Sequence, residues 1–524
     1  MTASDERRRG PTLSVEMVRR QDRLTWWMGY ALCLMLAVVV AAIAIGTAPK
    51  PMSLAVLLMV FGAVVVVVRP VLGIYITVFF AILGDGVTSA WYPFTKGFSS
   101  PESILFVSRS LIGSPLELYL FLLLLGWVLT LVGDRRWHVV RGRFLAPIMA
   151  FTAFLFVGFG YGLARGGNKN IALWEIRPIL YLPLLYFLII NIFRRREQYQ
   201  RLYWMIIAAT AINAVVALFF RRSLTKAQLA SMESLVQHGA TLPMNALFVL
   251  IAGTWLFKGT SRFKRIVLPI IAMPVVLAYL YSQRRAAIVA LIAAVLVLFA
   301  VLYRTNRRVF LRLAPAVLVL GGLYTAAFWN SSGSLGFPAQ AVKSVIAPSS
   351  LSARDQSSDY YRVVETTDIL YTIRSNPLTG IGFGQKFYRP IALPGISSFL
   401  LSDYMSHNSI LWIWMKAGVG GFLAMLYLFG TVMRVGARTA LASSDGDDAA
   451  ITLTSVAFVL MYAVFTYVDI AWDAKSMVFL AVAMAQIASV ERRVSRTAAL
   501  GAAQLDEAPA SEGDRRVLAG VAGS

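Results

Sequence analysis

Apolar segments recur along almost the whole chain, near residues 24–45, 52–68, 70–84, 116–133, 144–163, 177–193, 202–220, 240–257, 265–281, 286–303, 311–329, 406–433, 450–469 and 475–489. Most approach the roughly 20 residues that an α-helix needs to cross a bilayer. Lipid offers no water to unpaired backbone groups, so these segments must be helices and not an open sheet. Composition points the same way. Hydrophobic residues make up 58% of the chain and charged residues 14%, against about 25% charged in a soluble domain. The expectation is an all-α polytopic membrane protein with about 12–14 transmembrane helices.

The first apolar run follows Arg7, Arg8, Arg9, Arg19, Arg20 and Arg23. It outlasts the roughly 7–15 residues of a signal-peptide core, so it reads as an uncleaved signal anchor. Cys33 lies within it as the only cysteine. Disulfides, cysteine-rich zinc sites and a CxxC redox motif are thereby excluded.

Short cytoplasmic loops collect Lys and Arg. Alternate loops here are basic: "DRRWHVVRGR" (134–143), "RRREQYQR" (194–201), "KGTSRFKR" (258–265) and "RTNRRVFLR" (304–312). This alternation places both termini in the cytoplasm. It divides the chain into a basic N-terminus (1–23), transmembrane helices 1–11 (24–329), one large external loop (330–405), helices 12–14 (406–489) and a cytoplasmic tail (490–524). The tail from about Ala498 has no periodic apolar pattern and reads as disordered. Most of the net charge of +23 falls on the cytoplasmic side, where topology and anionic lipid heads account for it without nucleic acid. A smaller positive surplus outside suggests an anionic ligand there.

The external loop holds a stretch at helical spacing, "SSDYYRVVETTDILYTIRSNP" (357–377), with Ser358 or Asp359 as its cap and Pro377 as its end. Arg362 and Glu365 share its polar face, as a solvated surface helix or as part of a site. In "PLTGIGFGQ" (377–385), Gly380, Gly382 and Gly384 suit either a tight turn or close approach to a phosphate. His407 then opens "SHNSILWIWMKAGVGG", with Ser402, Asp403 and Ser406 as candidate caps. A helix N-terminus disfavours added positive charge, so the imidazole is expected to stay neutral, as a general base requires. On residues alone, His407 reads equally well as an anchor at the membrane interface. Lys416, deeper in the span, is either functional or paired with a neighbour such as Asp469 or Asp473. Arg284 and Arg285 stand between two spans on the outer side, Arg177 at another outer helix end, and Arg221–Arg222 form a further basic pair. Two arginines there ask for an anionic partner. His138 reads as a solvated loop residue, and His238 has no spacing that suggests a metal.

Three of these stretches, in order, resemble the O-antigen ligase and polymerase family of bacterial envelope enzymes: "SQRRAAIVAL", "YYRVVETTDILYTIRSNPLTGIGFGQ" and "SHNSILWIWMKAGVGGF". They lie between residues 280 and 425. The sequence departs from the family pattern at Met244, which separates Pro243 from Asn245. It also has Gln237–His238 where an arginine is common, and Lys416 where an acidic or amide residue is usual. The resemblance implies a GT-C-type, metal-independent, inverting glycosyltransferase without a cofactor, in the inner membrane with its active site outside. Its donor would be an undecaprenyl-diphosphate-linked glycan and its acceptor another glycan or a lipid. Membrane lipids and envelope polysaccharide assembly proteins would be its other partners. His407 would be the catalytic base. Arg285 and Arg362 would hold the diphosphate, with Arg284, Arg354 and Arg177 as further contacts. Asn408, Lys416, Gly382 and Arg222 would have secondary roles. A transporter or flippase of a lipid-linked oligosaccharide is the alternative. It would explain the spans and the basic residues, but it would not need a long external loop leading into a single histidine.

Overall fold

A computed structural model describes residues 26–27, 30–31, 35, 61–85, 87, 114–133, 139–232, 234–331, 333–393 and 401–506. Side chains are described for these except Arg354, 230–231 and 501–506. The described residues are helical throughout their regular structure, with no strand among them. In chain order they form α1 (Pro70–Leu83), α2 (Pro115–Gly133), α3 (Leu145–Ala164), α4 (Lys169–Ile192) and α5 (Arg196–Ser223). Then come α6 (Lys226–Ser231), α7 (Thr241–Leu256), α8 (Arg262–Ser282), α9 (Arg285–Thr305) and α10 (Arg307–Ala327). The series ends with α11 (Phe337–Ile346), α12 (Ala353–Ser375), α13 (Ser409–Ala442), α14 (Gly446–Val468) and α15 (Ala474–Asp506).

Eleven helices among the described residues are long and apolar enough to cross a membrane. They correspond one to one with the apolar segments read from residue 116 onward. The protein is therefore an all-α polytopic membrane protein. Of the earlier segments, 24–45 lies almost wholly outside the described residues. The next two meet at Arg69–Pro70, where helical residues 61–68 give way to the 14-residue α1. Proline, without an N–H, suits the first turn of a helix best, which favours the break there.

Three boundaries differ from the sequence reading. The loop helix α12 starts earlier than expected: Ser352, not Ser358 or Asp359, caps it by accepting from Asp355 N. Asn408, not Ser402, Asp403 or Ser406, caps α13 by accepting from Leu411 N. At its far end α15 runs through residues expected to belong to a tail. Its "RTAALGAAQL" stretch is rich in alanine and leucine, which favour helix even without an amphipathic stripe.

The last two spans, α14 and α15, form the enclosed centre of the bundle, while α10 is exposed along nearly its whole length. At the bundle end away from the long loop, Asp448 takes hydrogen bonds from Arg196 Nε at 3.1 Å and Arg493 Nη2 at 2.8 Å. Asp447 pairs with Lys264 at 2.7 Å. These acids tie α5, α8, α14 and α15 together. The opposite end gathers the starts of α7, α9 and α13, the end of α14 and the long loop.

The glycine segment after α12 is what fixes the loop to the bundle. Gly418 interrupts α13 with φ 68° and ψ −176°, which frees backbone groups that an unbroken helix would consume. Met415 O accepts from Ile381 N at 2.7 Å, and Leu378 O accepts from Val419 N at 3.2 Å. Phe383 N donates to Gly158 O on α3 at 3.2 Å. Gly382, with φ 86°, packs directly on Gly162 with no room for a Cβ. The left-handed φ alone costs a non-glycine residue about 1–2 kcal/mol. Gly382→Ala is therefore expected to lower the melting temperature in detergent clearly. Gly160→Ala on the same face-to-face helix α3, where nothing lies within 4 Å of the new Cβ, should leave it unchanged or raise it. Equal melting temperatures for the two variants would refute this account of the segment.

Candidate active site

His407 lies just before the α13 cap, at the point where the long loop returns to the bundle. Its backbone N donates to Glu365 Oε2 at 2.9 Å, and its Nδ1 lies 3.0 Å from the same oxygen and 3.2 Å from Oε1. A carboxylate accepts and does not donate, so Nδ1 carries the shared proton, and in the neutral ring the lone pair is on Nε2. Glu365 is buried at 2% side-chain exposure, and His407 keeps 18%. Tyr361, one turn before Glu365 on α12, packs edge-on against the imidazole with centroids 5.7 Å apart. The ring is thus oriented from two sides while part of it stays accessible. Sequence reading placed Glu365 on the right face of its helix but did not pair it with His407.

One turn from Glu365 on the same helix, Arg362 lines a cavity of about 940 Å³. Its walls come from the start of α9 (Arg284, Arg285), the loop helix α11 (Lys343), α12 (Asp355, Asp359, Arg362) and the end of α14 (Asp469). The cavity and the His407–Glu365 dyad share two supports. One is α12. The other is Asp469, whose backbone O accepts from Ser409 Oγ at 3.2 Å, two residues beyond His407. His407 itself stands beside the cavity and is not one of its lining residues.

The two adjacent arginines are held differently. Arg285 makes a two-pronged pair with Asp359, at 3.0 and 2.9 Å, and lies 3.5 Å from Asp355. It ties α9 to α12. Arg284 Nη2 lies 3.2 Å from His238 Nε2, and His238 Nδ1 reaches Asp469 at 2.8 Å. Arg362 Nη1 reaches Asp359 at 3.4 Å, while its Nε is buried with no hydrogen-bond partner. A buried charged donor left open is costly unless a ligand completes it. Four cations and three acids line the cavity, so a polyanion entering it meets attraction and also competes with Asp359 for two arginines.

A hydrogen bond from Lys386 holds Asp403 down. Burial pushes Asp368, one turn beyond Glu365, up.

The remaining candidates lie elsewhere. Arg177 pairs with Glu117 at 2.8 Å and stacks over Trp174. Arg222 is exposed at the end of α5, and its neighbour Arg221 stacks on Tyr281 at 3.8 Å. The Arg354 side chain and His138 lie outside the described residues. Asn408 is the α13 cap. Lys416 pairs with Glu175 of α4 at 2.8 Å, and not with Asp469 or Asp473. Gly382 is buried in the turn against α3, and the backbone N–H groups of Gly380, Ile381, Phe383 and Gly384 are all taken by protein oxygens. That segment is a packing device, and these four donors are not free for a phosphate. Lys343, which nothing in its spacing singled out, joins the cavity beside Trp329.

The fold and this site together describe a polytopic membrane protein that brings a loop-borne carboxylate–histidine dyad beside a basic cavity. Residues 270–426, from α8 into α13, match the family model described as O-Antigen ligase. An O-antigen ligase of Salmonella typhimurium (strain LT2) is 30% identical over 112 residues, which are 19% of this chain and 26% of the relative. The matched region spans about a quarter of that relative's length. The family-model match, at residues 270–426, covers all three motifs and contains Arg284, Arg285, Arg362, Glu365 and His407.

Proposed function

We propose that this chain is a membrane glycosyltransferase that transfers or polymerises an undecaprenyl-diphosphate-linked glycan on the external face of the inner membrane. The observation that carries this reading is the His407–Glu365 dyad, one helical turn from a cavity walled by Arg284, Arg285 and Arg362. In the proposed reaction an acceptor hydroxyl attacks the anomeric carbon as its proton passes to His407 Nε2. The bond from that carbon to the diphosphate breaks, and the diphosphate leaves with the electron pair. Attack opposite the leaving group inverts the anomeric centre, which suits a GT-C-type enzyme. The arginines stabilise the charge that grows on the leaving diphosphate, the electrostatic contribution that commonly dominates such catalysis. Arg362, which lines the cavity one turn from Glu365, is the strongest candidate to make that contact.

A flippase would use the basic cavity but would have no task for an imidazole whose basic nitrogen is set by a buried carboxylate. The test uses the purified full-length protein in nanodiscs. With an undecaprenyl-diphosphate-linked glycan and an acceptor it should release undecaprenyl diphosphate and form the joined glycan. Hydrogen bonds to charged groups are worth about 1.5–3 kcal/mol, so Arg362→Ala should weaken undecaprenyl diphosphate binding by about 10- to 100-fold. Arg362→Lys should also bind poorly, because an ammonium lacks the planar fork. Absence of product from all lipid-linked glycans tried, together with their translocation across the membrane of sealed proteoliposomes holding the same protein, would favour the flippase.

A further inference from the structure

Arg284, His238 and Asp469 form a chain of contacts whose two ends line the cavity. Arg284 Nη2 lies 3.2 Å from His238 Nε2. His238 Nδ1 lies 2.8 and 3.0 Å from the two Asp469 oxygens. Only one arrangement of protons satisfies both contacts. A guanidinium can only donate, so Nε2 must accept; a carboxylate can only accept, so Nδ1 must carry the proton. We propose that His238, backed by Asp469, is a positioning residue that presents Arg284 to the diphosphate of the donor. The inference rests on the reading of the cavity as the donor site, given above.

The surroundings hold the imidazole in place from several sides. Gln237 N, the residue before it, donates to both oxygens of buried Asp85 at 3.2 and 3.0 Å. Gly239, the residue after it, packs on the Asp473 carboxylate so closely that no Cβ fits. Asp469 is itself fixed, its Oδ1 accepting from Ile470 N at 2.8 Å and its backbone O from Ser409 Oγ. A long, rotamer-rich arginine loses affinity for a ligand when it must be ordered on binding, and a fixed acceptor behind it removes part of that cost. The acceptor also works only if it is neutral. A cation in place of His238 would repel Arg284 rather than hold it. The same residue anchors Ser409 near His407 through its backbone O, so Asp469 references both the arginine and the base to the end of α14.

Charge and position make opposite predictions, which gives a clean test. The full-length protein in nanodiscs would be titrated with undecaprenyl diphosphate as the probe. His238→Ala should weaken binding by about tenfold, the loss of one charge-assisted contact. His238→Gln offers an amide oxygen where Nε2 stands and should recover affinity to within about threefold of wild type. His238→Lys adds positive charge yet should bind no better than the alanine variant. Adding Arg284→Ala to His238→Ala should cost little more, because the two residues act as a unit. Wild-type affinity in His238→Ala, or tighter binding in His238→Lys, would overturn the inference while leaving the donor-site reading intact. Failure of the wild-type protein to bind the probe would overturn both. Should His238→Ala not fold, the contrast between glutamine and lysine carries the same decision: tight Gln with loose Lys supports it, and equal affinities overturn it.

Discussion

Replacing His407 with alanine is expected to stop glycan transfer while the protein is still made and still binds undecaprenyl diphosphate. The removal of a general base commonly costs about 100- to 10,000-fold in rate. The loss of stability should be smaller, because buried Glu365 keeps its hydrogen bond from His407 N. His407 keeps 18% side-chain exposure and precedes the helix, whose cap is supplied by Asn408. Glu365 should behave as the residue that acts through it. Glu365→Gln keeps an oxygen for Nδ1–H but lacks the charge that stabilises a protonated ring, and Glu365→Ala also loses the contact to His407 N. Both should lower the turnover rate with donor affinity unchanged, alanine more than glutamine, within the roughly 10- to 100-fold range of residues that orient a functional histidine. The assay is a complemented deletion strain in which glycan chain length and the sidedness of the lipid-linked precursor are both scored. A histidine that merely anchors the interface would lose expression and activity together. A flippase would leave the precursor on the cytoplasmic face. Normal polymer from a well-expressed His407→Ala protein would falsify the catalytic reading.

The same dyad shows how far sequence reaches in a chain of this kind. Apolar spans are legible because lipid tests every residue of a spanning helix, and eleven of the helices lie where the apolar segments placed them. The order of the arginine helix, the glycine segment and His407 is also legible, since each is a local pattern. Partners are not. Glu365 is 42 residues from His407, and Asp469 is 231 from His238. Periodicity says which face a carboxylate occupies but not which side chain arrives opposite it. The caps were missed for a local reason. Several Ser and Asp residues precede each helix, and the one that caps is chosen by where the chain turns, as Ser409 N bonding back to His407 O selects Asn408. The glycines read as a tight turn or a phosphate approach. In the fold the N–H groups of Ile381, Phe383 and Gly384 are taken by the break in α13, by α3 and by α4, a contact set spread over more than 200 residues of sequence.

The largest effect on stability is expected at Lys416. It and Glu175 are both 0% exposed and 2.8 Å apart, and Lys416 also donates to Gln385 O at 2.6 Å. Glu175 in turn accepts from Gly384 N through its other oxygen, at 2.5 Å. One ion pair therefore joins α4, α13 and the glycine segment at the point where α13 is broken by Gly418. A buried pair contributes little net stability over an apolar pair of similar shape, yet removing one partner strands the other charge at a cost of about 3–5 kcal/mol. Lys416→Ala should accordingly give low yield, early melting and loss of activity together, the reverse of the pattern expected for His407→Ala. The double variant Lys416→Met with Glu175→Gln removes both charges and keeps an amide oxygen for Gly384 N–H. It should melt well above Lys416→Ala and approach wild type. If the single variant melts like wild type, the pair does not hold the segment. If the double variant is as unstable as the single one, it is the cationic hydrogen bond to Gln385 O, and not relief of a stranded Glu175, that secures it.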